Sequence, residues 1–60
     1  MELLEALRNI AIREGFEAGH TLQEEAKETG LPILEVLQRE IDLKLLSPDD
    51  VSWRLHLGPH

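Results

Sequence analysis

The chain has 60 residues, no cysteine, and twelve acidic against six basic side chains, for a formal net charge of −6. That length allows a single domain over residues 1–60, one that buries only roughly 60% of its unfolded surface. The missing cysteines exclude disulfide staples, thiolate metal sites and cysteine nucleophiles, and the acidic balance disfavours phosphate backbones and anionic membranes while suiting a basic protein surface.

A first helix is predicted from about Glu2 to the region of Gly15, with an end near Gly19 preferred. Leu3, Leu4, Leu7, Ile10 and Ala11 form one apolar stripe at helical spacing. Glu2 and Glu5 lie near the positive end of the helix dipole, and Arg8 and Arg13 lie further along. Gly15 and Gly19 compete as the stop. An end near Gly19 keeps Phe16 and Ala18 in the helix, and leaves Gly15 inside it at a cost of about 1 kcal/mol relative to alanine.

Thr21 opens a second, short helix. Its hydroxyl can accept from the Glu24 N–H while the Glu24 carboxylate accepts from the Thr21 N–H. Gly30 supplies the left-handed residue that closes the helix. Leu22 and Ala26 face inward, and Glu24, Glu25 and Glu28 form a solvated face.

Pro32 fits the first turn of a third helix. Ile33, Leu34, Leu37, Ile41 and Leu45 make an apolar arc of about 120° at 3.6 residues per turn. Val36 and Leu43 lie outside that arc, and Leu46 lies further round. This surplus of apolar positions points to a second contact.

Ser47-Pro48-Asp49-Asp50 either caps a fourth helix or makes a turn. Val51, Trp53, Leu55 and Leu57 then alternate with polar residues, which is the period of a strand. Only Val51 and Leu55 share a face at helical period. An extended segment here needs a partner strand from another chain, or lies across the helices. Gly58-Pro59 ends the element.

Ala26, Gly30 and Val36 occupy the small, turn and core positions of a helix-turn-helix. The chemistry of a DNA reader is missing, because the third helix starts Pro32-Ile33-Leu34-Glu35 where donors to phosphates and bases belong. Along it, Glu35, Glu40 and Asp42 outnumber Arg39 and Lys44. There is no glycine-rich phosphate loop and no readable nucleophile–base arrangement, and the domain is small for an enclosed pocket. A non-enzyme without cofactor is therefore expected. His56 and His60 have the spacing of a helical ligand pair, but Gly58 and Pro59 intervene. With His20 beside the Thr21 cap, no metal site is expected. Trp53 covers the small core or anchors a partner.

No apolar run approaches the ~20 residues of a membrane span. The opening MELLEALRN carries acids where a secretory signal carries bases. With the missing cysteines, this fits a cytoplasmic protein.

Gly19, Thr21-Leu22, Ala26 and Glu28-Thr29-Gly30, followed by Glu35-Val36, Leu45-Leu46-Ser47 and Asp49-Asp50-Val51, carry a family likeness. Over about forty residues the chain resembles the small C-terminal helical domain of the fumarase/aspartase superfamily. Those enzymes' serine loop and substrate signature are absent here, and Arg39 to Lys44 is a few residues longer than the pattern. The pattern is also similar to one near the start of the alpha part of iron–sulfur serine dehydratases. Both resemblances imply a non-catalytic helical module and assign no catalytic residue.

The expected architecture is all-α, with three helices around a helix-turn-helix-like core and Ser47 to Leu57 as a fourth short helix or an extended arm. The expected function is protein binding, as an acidic adaptor, subunit or inhibitor of a larger assembly. Its expected surface comprises Leu43, Leu46, Val51, Trp53, Leu55 and Leu57, rimmed by Asp49 and Asp50, which would steer a basic partner. The alternatives are a homodimer pairing through its C-terminal segments, a degenerate DNA-binding regulator and an excised accessory domain of a lyase.

Overall fold

The computed structural model describes residues 2–56. Among these, the chain forms helices α1 (Leu3–Glu17), α2 (Leu22–Thr29), α3 (Ile33–Asp42) and α4 (Val51–His56), with a 3₁₀ turn at Pro48–Asp50 and no strand. The fold is all-α, and α1, α2 and α3 pack against one another.

The helix ends follow local chemistry. Past α1, the His20 N–H donates to the Gly15 carbonyl and the Gly19 N–H to the Phe16 carbonyl. Gly19 is left-handed at φ 84°. This is a Schellman motif, which satisfies carbonyls that the helix leaves open. Gly15 therefore stays inside α1, where it is buried. A Cβ there would lie 3.2 Å from both Glu25 Cγ and His20 Nδ1, so a bare backbone lets Glu25 pass. Thr21 and Glu24 form the reciprocal cap, with bonds of 3.2 and 2.9 Å. Those bonds hold the Glu24 carboxyl below the usual range. Gly30, at φ 74°, closes α2 and donates to the Ala26 carbonyl at 2.8 Å. Pro32 is the residue before α3 rather than its first, and its carbonyl accepts from Glu35 and Val36.

After α3 the chain repeats the Schellman arrangement. Leu45 donates to the Glu40 carbonyl and Lys44 to that of Ile41. The left-handed position is now taken by Lys44, at φ 64°. The turn delivers Leu46 into the core and leads to Ser47, whose hydroxyl accepts from the Asp49 N–H at 3.3 Å. With Pro48 at the first position, the 3₁₀ turn runs directly into α4. The extended alternative for this segment is set aside. Its alternating pattern folds as helix, bringing Arg54 to the inside three residues after half-buried Val51.

The core is Ile12, Leu22, Val36, Leu37 and Leu46, with Phe16, Ala26, Leu31, Ile33 and Ile41 packed around it. Two expectations are revised. Val36 is fully buried and Leu34 is 71% exposed, so the inward face of α3 runs through Val36, Leu37 and Glu40. Glu25, expected on a solvated face, is 1% exposed.

Candidate interaction surface and buried ionic cluster

The predicted binding residues do not form one surface. Leu46 is buried in the core and is unavailable to a partner. Val51 is half-buried against that core. Leu43 is also half-buried against the core, and it lines clefts beside α1 with Asn9. Asp49, Asp50, Trp53 and Leu55 are exposed, with Trp53 at 61%. Leu57 lies outside the described residues, as do Gly58, Pro59 and His60.

The larger apolar surface is on α1. Leu3, Leu4, Leu7 and Ile10 are all more than half exposed. Helical geometry explains this. At 100° per residue these four and Ala11 span about 120°, centred on Leu7, whereas Gly15, Ile12 and Phe16 lie roughly 80°, 140° and 180° away on the side that meets α2 and α3. α1 thus has two apolar faces, and the domain covers the smaller one. The exposed ridge has a hollow on each side. One, of about 210 Å³, is lined by Leu4, Leu7, Arg8, Ala11, Glu28 and Thr29. The other, of about 150 Å³, is lined by Asn9, Ile10, Arg13, Glu14 and Leu43.

Charge is placed inside instead. Arg54 donates from Nε to Glu40 Oε1 at 3.0 Å and from Nη2 to Glu40 Oε2 at 2.8 Å. Nη2 also lies 3.4 Å from Glu25 Oε1. All three side chains are buried. The guanidinium also stands 4.8 Å from the centre of the Phe16 ring, a cation–π contact.

Two carboxylates and one guanidinium would leave a buried negative charge, and the cluster avoids it by protonation. Burial, together with a hydrogen bond to Glu40 and the Glu40 charge, pushes the Glu25 carboxyl up to about 8, against the pull of Arg54. Glu25 Oε2 is buried and has no hydrogen-bond partner among the described residues. Raised carboxyl groups often mark catalytic sites. Here Glu25, Glu40 and Arg54 line none of the three clefts, including the polar one of about 260 Å³ between Glu5, Asn9, Glu35, Arg39, Asp42 and Leu43. The cluster fastens α4 to α2 and α3.

The α3 face offers little to a phosphate. Leu34, Glu35, Gln38 and Asp42 are exposed, and Arg39 is engaged with Glu5 at 2.6 Å, Glu35 at 3.3 Å and Asn9 at 3.0 Å.

Sequence reasoning did not find the cluster. A weak signal existed: Glu25 follows Leu22 by three residues, and Glu40 follows Val36 by four, so each shares a face with a core residue.

No family model, curated protein or solved structure matches the chain. The resemblance to the lyase domain therefore rests on helix caps and apolar spacing alone.

Proposed function

We propose that the chain is a small, acidic, non-catalytic helical module that binds protein in the cytoplasm. The observation that carries this reading is the α1 ridge, where four large aliphatic side chains on one helix face are each more than half exposed. Contiguous apolar patches of that kind mark interaction surfaces in small soluble domains. Trp53 and Leu55, next to Asp49 and Asp50, offer a second and smaller apolar area for the same role. The acidic exposed side of α3 weighs against nucleic acid.

The test is capture from native lysate with the wild-type chain, Leu7→Glu and Trp53→Ala. The reading expects Leu7→Glu to lose captured protein and Trp53→Ala to lose less. Equal recovery by all three overturns it.

A further inference from the structure

We infer that α4 is a pH-sensitive clasp, which docks through Arg54 while Glu25 holds a proton and lifts from a still-helical α1–α3 body when Glu25 ionises.

Release of α4 by itself follows from how little holds it. It has six residues, and isolated helices shorter than about 12 residues are marginal in water. Ser52, Trp53, Leu55 and His56 are exposed. Only Val51, half-buried, and Arg54, 5% exposed, face the body. The buried apolar core, by contrast, comes from α1, α2, α3 and Leu46. Leu46 anchors the chain immediately before Ser47, which is extended and makes the hinge. Lifting the segment beyond Ser47 removes none of Ile12, Leu22, Val36, Leu37 or Leu46. Openings of such weakly packed segments cost less than global unfolding.

Charge couples this opening to pH. Docked Arg54 makes two hydrogen bonds to Glu40 and lies 3.4 Å from Glu25. One guanidinium offsets one carboxylate. Ionising the second would bury a net negative charge, with Glu25 Oε2 lacking a hydrogen-bond partner among the described residues. When Arg54 lifts away, water reaches both carboxylates and Glu25 ionises as an exposed glutamate does.

The groups around Glu25 agree in sign. α3 presents Glu40 and α2 presents Glu28, which both oppose its ionisation, whereas α4 presents Arg54, which favours it. α1 presents uncharged Gly15. His20, in the turn before α2, is engaged with Glu28 Oε1 at 3.0 Å. Burial is the largest influence, ahead of Arg54, and the sum carries the carboxyl from 4.5 to about 8. Opening removes that burial, and water screens what remains of Glu40 and Glu28. A proton held more tightly in the closed form favours closure fully below 4.5 and no longer above about 8. Between those limits the ratio of open to closed chains rises about tenfold per pH unit.

The experiment follows backbone carbon-13 shifts, which report helix residue by residue, together with the Glu25 carboxyl carbon, from about pH 5 to about pH 9. Val51–His56 should move from helical toward coil values in one single-proton transition, in step with the Glu25 carboxyl. Leu3–Glu17, Leu22–Thr29 and Ile33–Asp42 should stay helical. Glu25→Gln should hold α4 helical throughout. His20→Gln and His56→Gln should keep the transition, a necessary control because imidazoles titrate in the same range. Shifts of α4 that remain helical across the whole range overturn the inference. So does simultaneous loss of all four helices, which would be global unfolding. A transition that survives Glu25→Gln, or vanishes with either histidine variant, gives the trigger to another group and also overturns it. If Glu25→Gln fails to fold, the wild-type titration still decides, because α4 and the Glu25 carboxyl must change together.

Discussion

The cluster under α4 and the ridge on α1 invert the usual placement of side chains. Three ionisable groups sit within the core, while four large aliphatic groups face solvent on the longest helix. The difference shows what each face of a small domain is for. A buried ion pair contributes little net stability compared with well-packed hydrocarbon. It does impose a single geometry, because guanidinium and carboxylates accept few alternatives. The ridge imposes no internal geometry, and its side chains can be changed at little cost to the fold.

The largest effect should come from removing the centre of the cluster. Arg54→Ala leaves two buried carboxylates and is expected to cost about 3–5 kcal/mol, read from urea unfolding. That is much of the stability of so short a chain. Replacing all three together, as Glu25→Leu, Glu40→Met and Arg54→Met, should recover most of the loss. Failure to recover would mean that the charges stabilise the fold and do not merely specify it.

The next effect is in pH. Unfolded Glu25 titrates near its ordinary value of 4.5, and the folded carboxyl keeps its proton to about 8. The stability linked to that proton is fully present below 4.5 and is lost as pH rises toward 8. The urea midpoint should therefore fall between about pH 5 and about pH 8. Glu25→Gln, which keeps the shape without the titration, should flatten that slope. An equal slope in both proteins would assign the pH dependence elsewhere.

A smaller and opposite change is expected at Lys44. It occupies a left-handed position that glycine fills after α1. Lys44→Gly should raise stability by roughly 0.5–1 kcal/mol, seen as a higher melting temperature. The smallest effect belongs to the ridge. Leu7→Gln should change the unfolding free energy of the monomer by no more than about 0.5 kcal/mol, measured at concentrations too low for association. A larger loss would show that the ridge is part of the core.

Much of the fold was legible because helix ends are local. Thr21 with Glu24, Gly19, Gly30 and Ser47-Pro48 each act within a few residues of themselves. The stripe on α1 was legible as a stripe, but not the direction it faces. That depends on which of two apolar faces the other helices cover, and Ile12 with Phe16 prevailed. The cluster was illegible because its members are 14 and 29 residues apart. A glutamate on a short helix looks solvated until something fixes what lies over it. The same remoteness hid Leu46, which the left-handed turn at Lys44 swings into the core.

The cluster also sets an order of events during synthesis. Glu25 and Glu40 leave the ribosome before Arg54, so α1, α2 and α3 are complete while their shared interior still lacks its cation. Closing that interior early would bury two carboxylates without a counter-charge. A nascent chain arrested before Arg54 is therefore expected to remain protease-sensitive, and one that has released it should become resistant.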